Sequence, residues 1–316
     1  MPDPCVPLPR RLALVGALYR RLPMFRGKYS LAQRYLAPRM RRRGYRTVVR
    51  LHGPGGGRLI CHLDDWIPWT VFVFGRYISE ARYEDYLLSR VRPGPSVFLD
   101  IGANIGYYTV QLARLAGPQA RIHAFEPMSI QGAVLEENLR LNHLANVVVN
   151  ASIVSDSVGV QRIYFSSPEN TGQSSVARPS GYHEDRPATT VDAYCQSKGI
   201  AAVELVKIDV EGHELHVLRG MEQMLREGRV ERVATELDEE LLAANGASGD
   251  VLPSLMRTHG YEPHRVRAGR LVPFTTSGDE QVVVFQRIES RQPTIDPGDE
   301  SNGLASARTR PYCVAP

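Results

Sequence analysis

The chain has 316 residues, 43% of them hydrophobic and 23% charged, and a formal net charge of +4. That is room for one large globular domain with an appendage. The four cysteines, Cys5, Cys61, Cys195 and Cys313, form no C-x-x-C pair, which excludes a disulfide framework and a structural zinc site and points to a reducing, cytoplasmic setting. No apolar run approaches the ~18 residues of a transmembrane helix.

The charge is unevenly placed. Between Met1 and Leu63 fourteen Lys or Arg residues face a single acid, Asp3, so the remainder of the chain is net acidic. Residues 1–70 therefore read as a basic cap or extension. Leu12, Val15, Leu18 and Leu22 recur at helical spacing beside Arg11, Arg20 and Arg21, and Arg39-Met40-Arg41-Arg42-Arg43 adds a cationic cluster. The stretch Leu12–Leu18 lacks the small-residue cleavage site of a signal peptide. A solvated basic face, a helix lying on an anionic membrane and a phosphate-binding arm all fit such a segment. The apolar positions favour peripheral membrane contact or a cap over a site, and no nucleic acid is expected.

Residues 71–288 alternate strand-like and helix-like segments. Val97-Phe98-Leu99 follows the turn residues Pro93-Gly94-Pro95, and a helix with Tyr108, Leu112 and Leu115 on one face ends at Gly117-Pro118. Ile122–Phe125 is the next strand, Ile130, Val134, Leu135 and Leu139 mark a helix, and Val147–Val149 is a third strand. Further on come a strand over Leu205–Val210, a helix carrying Leu215, Leu218, Met221 and Leu225, and strands at Val233–Thr235 and Val282–Phe285. This alternation predicts an α/β fold with a doubly wound, mostly parallel sheet, whose ligand sits beyond the carboxyl ends of the strands. Residues 289–316 are rich in Pro, Ser, Gly and charge and read as a disordered tail.

The strand at Val97 runs into Asp100-Ile101-Gly102-Ala103-Asn104-Ile105-Gly106, and twenty residues later the next strand ends in Glu126-Pro127. Glycines permit a sharp turn and close ligand approach; an acid at the second strand end suits the ribose hydroxyls of an adenosine ligand. The spacing is not G-x-G-x-x-G, and a carboxylate at Asp100 would repel a pyrophosphate. S-adenosylmethionine (SAM) carries a cationic amino group and sulfonium instead. The cofactor-binding set is therefore Asp100, Gly102, Asn104, Gly106, Glu126 and Asp209, with SAM preferred to NAD.

Val97–Thr109 (VFLDIGANIGYYT), Ala124–Pro127 (AFEP), Thr190–Tyr194 (TVDAY) and Lys207–Glu214 (KIDVEGHE), in this order, resemble the FkbM family of SAM-dependent methyltransferases over about residues 75–237. The resemblance implies the class I methyltransferase (Rossmann-like) fold and O-methylation of sugars, polyketides or glycolipids. It does not reach the basic front or the tail.

Asp209, Glu211, His213 and Glu214 cluster behind the Leu205 strand. An aliphatic hydroxyl is a poor nucleophile, so a general base is expected among them. His213 is the first candidate because its ordinary pKa lies near neutrality; Glu211 and Asp209 are the others. Asp209, Glu236 and Asp238 could furnish hard oxygen ligands, but nothing in the pattern requires a metal and none is assigned. Ser166–Pro187 reads as a long loop, and Tyr107, Tyr108, Tyr182 and His183 are candidate pocket residues. The expected partner is a small or lipid-linked hydroxylated acceptor. The rival readings are an NAD-dependent oxidoreductase and a non-catalytic membrane- or nucleic-acid-binding adaptor.

Overall fold

The computed structural model describes residues 6–41, 44–165, 176, 182–237, 250–274 and 282–288. At the front, β1 (Val6–Pro7) leads into α1 (Arg10–Arg21). The chain then forms α2 (Lys28–Leu31), a π-helical turn (Ala32–Leu36) and α3 (Ala37–Met40) before β2 (Tyr45–Arg50) and β3 (Arg58–His62), which with β1 make a small sheet. Along β2, Tyr45 and Val49 are buried and Val48 is exposed, the alternation of a strand with one face on a core.

Next comes α4 (Trp66–Phe74), apolar on every side and almost wholly buried, as a helix of that composition must be. It spans the boundary expected near residue 70. Helix α1 packs on it where Gly16 meets the Phe72 ring, a contact that leaves no space for a Cβ. The docked stripe of α1 is Leu12, Gly16 and Tyr19. The expected face of Leu12, Val15, Leu18 and Leu22 is thus split: Leu12 turns inward and the other three are exposed. Tyr45, Val49, Leu59, Trp69 and Phe72 share one apolar cluster with Phe98, Val110 and Ile122 of the central layer. Arg46 pairs with Glu137, and the Ile60 N–H donates to Asn138 Oδ1 at 2.7 Å. The basic segment is therefore built onto the rest of the molecule.

The central layer continues with α5 (Ala81–Ser89), β4 (Val97–Ile101), α6 (Tyr107–Ala116), β5 (Arg121–Phe125), α7 (Ser129–Leu141) and β6 (Val147–Asn150). A second small sheet follows from β7 (Ile153–Val154), β8 (Gly159–Phe165) and β9 (Tyr182–Thr189). The chain returns through α8 (Val191–Lys198), β10 (Val203–Ile208), α9 (Glu214–Arg219), α10 (Glu222–Arg226) and β11 (Val230–Glu236). It finishes with α11 (Val251–Thr258), β12 (Tyr261–Arg267), β13 (Arg270–Pro273) and β14 (Val282–Arg287).

The eight-stranded sheet has the order β13-β12-β14-β11-β10-β4-β5-β6. From β11 to β6 every pairing is parallel, and β14, β12 and β13 are paired antiparallel. The doubly wound, mostly parallel sheet is thus present, with an antiparallel edge that the apolar pattern did not reveal. From β4 the chain moves outward through β5 and β6, then returns to place β10 on the other side of β4. The carboxyl ends of β4 and β10 therefore flank the switch point, where such sheets bind ligands.

Several local expectations are corrected. Strand β10 stops at Ile208 rather than Val210, leaving Asp209 in the loop. The helix expected through Leu215–Leu225 breaks into α9 and α10 at Gly220, which packs directly on the Ser155 carbonyl. Tyr182–Pro187 are part of β9 and not of a loop; residues 166–175, 177–181 and the tail 289–316 lie outside the described residues. Cys61 and Cys195 are buried free thiols. No described helix is long and apolar enough to cross a membrane.

Gly220 gives a direct test of this packing. Gly220→Ala drives a Cβ into backbone, whereas an added Cβ at Gly94 meets nothing within 4 Å. Urea unfolding is expected to show a loss of about 1–3 kcal/mol for Gly220→Ala, and no comparable loss for Gly94→Ala.

Candidate active site

A cavity of about 620 Å³ opens at the carboxyl ends of β4, β5, β10 and β11, with Trp66 and Ile67 of α4 and the segment around Tyr77 and Glu80 closing another side. Its volume falls within the range of small-molecule sites, about 300–1,000 Å³. Among the described residues six carboxylates line it, Asp64, Glu80, Glu126, Asp209, Glu211 and Glu236, against the cations Arg41 and Lys207.

One wall is the turn after β4. Gly102 has φ +80°, and a Cβ there would collide with the Asp209 carbonyl oxygen; glycine alone lets the loops after β4 and β10 approach this closely. Asn104, also at positive φ (+49°), donates its backbone N–H to Glu126 Oε2 at 2.7 Å and accepts the Ile105 N–H on its own Oδ1 at 2.7 Å. Glu126 accepts a second backbone bond from Met128 at 2.9 Å. Burial pushes its pKa up to about 7, against the two N–H donors that favour the charged form. A carboxylate has about four acceptor sites, so Glu126 keeps acceptor capacity for a ligand in the cavity it lines.

Two members of the expected cofactor set take other places. Gly106 caps the start of α6 and packs on Leu135 away from the cavity wall. Asp100 is wholly buried, accepting from Thr109 Oγ1 at 2.5 Å beside its register partner Lys207, and is not among the residues lining the cavity. Burial raises its pKa, with Lys207 acting in the opposite direction.

Beside the turn lies an acidic cluster around one buried ammonium. Lys207, paired in register with Asp100, binds Asp209 Oδ2 at 2.9 Å and sits over the Tyr108 ring, 4.8 Å from its centroid. Burial works to lower the Lys207 pKa, but Asp209, Asp100 and Glu80 outweigh it and hold the ammonium charged. Tyr108 donates its hydroxyl to Glu80 Oε2 at 2.6 Å. Burial, then the charge of Asp209, raise Glu80 to about 7. Glu236, at the end of β11, is raised further, to about 9, by burial and by Asp209, Glu211 and Glu80.

Glu211 lines the same cavity from a left-handed backbone position, φ +53°. His213 also borders it but is buried, and its Nε2 shares a hydrogen bond of 2.9 Å with Ser155 Oγ. Burial and the neighbouring His216, stacked 4.4 Å away, lower its pKa to about 4 despite Asp156. Glu214 folds back on the loop to accept the N–H groups of Gly212 and Val210 at 3.1 and 3.3 Å.

Tyr107 and Tyr108 line the cavity; Tyr182 and His183 lie on β9 and do not. Among the described residues no group of three or more His, Cys, Asp or Glu is arranged to hold a metal ion, and Asp238 lies outside them. The residue that sequence reasoning missed is Glu80. It ends a short 3₁₀ turn, Ile78–Glu80, with no glycine, strand end or spacing to mark it.

Residues 100–263 match the model of the methyltransferase FkbM domain. The 31-O-demethyl-FK506 methyltransferase FkbM of Streptomyces tacrolimicus is 31% identical over 201 residues, covering 54% of this chain and 74% of that protein. Methyltransferase sdnD of Sordaria araneosa is 31% identical over 162 residues, 42% of this chain and 62% of that protein. The crystal structure of methyltransferase FkbM from Methylobacillus flagellatus KT aligns with a TM-score of 0.41 at 17% identity, over 62% of this chain and 45% of that one.

The raised acids make a prediction about stability. A carboxyl whose folded pKa lies above its unfolded value, about 4.3, contributes stability at low pH that is lost as pH rises through the folded pKa. Glu236→Gln removes that loss. It is expected to unfold at a higher temperature than the parent at pH 9 and at nearly the same temperature at pH 4. An equal effect at both pH values would mean that Glu236 is already ionised at low pH.

Proposed function

The chain belongs to the FkbM methyltransferase family, and from that premise we propose that it is a SAM-dependent O-methyltransferase acting on a hydroxyl of a sugar, polyketide or glycolipid-type acceptor. The observation that carries this reading is the acidic cluster of Glu80, Asp209 and Glu236 lining the same cavity as the Gly102–Glu126 wall. The buried free thiols Cys61 and Cys195 suit a reducing, cytoplasmic setting.

The cavity fits the cofactor by its chemistry. Glu126 offers acceptors for the two ribose hydroxyls, and Phe125, Ile153 and Ile163 offer apolar surface for the adenine. Asp209 and Glu211 present negative charge to the amino group and sulfonium. The same excess of carboxylates disfavours NAD, because like charges at these distances repel strongly in a poorly solvated site. SAM supplies a methyl group made electrophilic by the sulfonium.

The chain's own residues do the rest. Tyr108 fixes the Glu80 carboxylate, and Lys207 pairs with Asp209 and limits the repulsion that would disperse the cluster. Glu80 and Glu236 titrate as an interacting set, with Glu80 nearer neutrality, where a general base is most effective. In this reading Glu80 takes the acceptor's hydroxyl proton as the oxygen is alkylated. The low pKa and Ser155 contact of His213 fit a positioning role for the loop 210–214 better than proton abstraction.

Isothermal titration should show binding of SAM and S-adenosylhomocysteine but not NAD; binding of NAD alone would overturn the cofactor class. With an acceptor in hand, Glu80→Gln should lower kcat by about 10²–10⁴-fold and remove the near-neutral rising limb of the pH profile while leaving cofactor affinity almost unchanged. Full turnover in Glu80→Gln would remove it as the base.

A further inference from the structure

The outer side of α1 and the turn behind it remain unused by the site. Leu14 (61% exposed), Val15 (42%), Leu18 (54%) and Leu22 (46%) are open to solvent, as are Met24 (63%) and Phe25 (42%) in the following turn. At ~100° per residue the helical positions Leu14, Val15 and Leu18 fall within an arc of about 100°, with Leu22 just past the helix end, and the arc adjoins the Leu12–Gly16–Tyr19 stripe that docks on α4. Exposed Arg10 and Arg21 flank this arc, exposed Arg11 falls within it at the start of the helix, and exposed Arg26 lies in the turn. From Val6 to Leu63 the sequence contains no acid at all.

The combination selects the occupant. A second copy would bring two basic faces together, and nucleic acid would set its phosphates against six apolar side chains. An anionic bilayer offers both halves of the match, phosphates for the arginines and acyl chains for Leu, Val, Met and Phe. The surface is also connected to the cavity. Lys28 Nζ donates to the Leu22 carbonyl at 2.7 Å, tying the turn to α2. The next residue, Tyr29, packs edge-on against Trp66 at 5.4 Å. Trp66 lines the cavity and is 43% exposed, so it stands at the mouth.

We propose that the exposed face of α1 with the turn through Arg26 docks on an anionic lipid surface and sets the cavity mouth beside it. Resting on the methyltransferase reading, this makes the acceptor a hydroxylated lipid or a lipid-borne sugar that enters past Trp66.

The test is flotation of the full chain, without cofactor, on vesicles of pure phosphatidylcholine and on vesicles of equal parts phosphatidylcholine and phosphatidylglycerol. The protein should float with the anionic vesicles only, and less so as salt rises. Leu14→Ser/Leu18→Ser/Met24→Ser and, separately, Arg10→Glu/Arg11→Glu should each lower the partition coefficient by about tenfold or more. Both variants alter exposed positions, and their titration with S-adenosylhomocysteine should match the parent, which separates loss of docking from loss of fold or of the methyltransferase reading. Failure of the parent to float would overturn the proposal, as would flotation that the apolar triple variant leaves unchanged. Retention on polyuridylate that is insensitive to the triple variant, without flotation, would reassign the surface to nucleic acid.

Discussion

The ammonium of Lys207 is the interaction on which the site depends. It stands on β10 beside β4, the two strands whose ends flank the switch point, and is surrounded by Asp100, Asp209 and Glu80. An isolated charge in such a place would be expelled or neutralised. Here three carboxylates hold it charged, and it lets them crowd together without driving one another apart. Removing a partner from a buried pair leaves an uncompensated charge, which typically costs about 3–5 kcal/mol. The same balance keeps Glu80 and Glu236 poised as raised acids at the cavity wall.

Most of the architecture was legible in the sequence, for a physical reason. Strands β4 and β5 are short apolar runs ended by residues that cannot continue a strand, and the helix after Gly106 keeps one apolar face over three turns. Glu126 was placed correctly at the second strand end because turn and strand lengths between adjacent parallel strands vary little. The antiparallel edge was not legible, since β14 carries no local mark of its direction and pairs with β11 and β12 over long sequence separations, while only β12 and β13 meet locally through Ala268-Gly269.

Side-chain roles were harder to read than positions. Asp100 looks like a ligand-facing acid in sequence; in the structure it is buried against Thr109 and Lys207, whose charge it helps to hold. The ordinary pKa of histidine points to His213 in the sequence, whereas burial and His216 lower the pKa that it has. In α1 two apolar arcs share one short helix, and only Gly16, small enough to admit Phe72, shows which arc docks. Glu80 has no local signal, because its significance comes from Tyr108, 28 positions away along the chain.

The sheet order has a further consequence for how the molecule is made. Strand β14, residues 282–287, inserts between β11 and the β12–β13 hairpin. During synthesis on the ribosome, β4, β5, β10 and β11, which bear the cavity wall, emerge and can pair before it. The hairpin cannot join the growing sheet until β14 has left the exit tunnel. Until then β11 presents an unpaired edge, the kind of transient surface on which other chains pair and aggregate. The interval before β14 emerges is thus the one in which this protein most needs protection by chaperones.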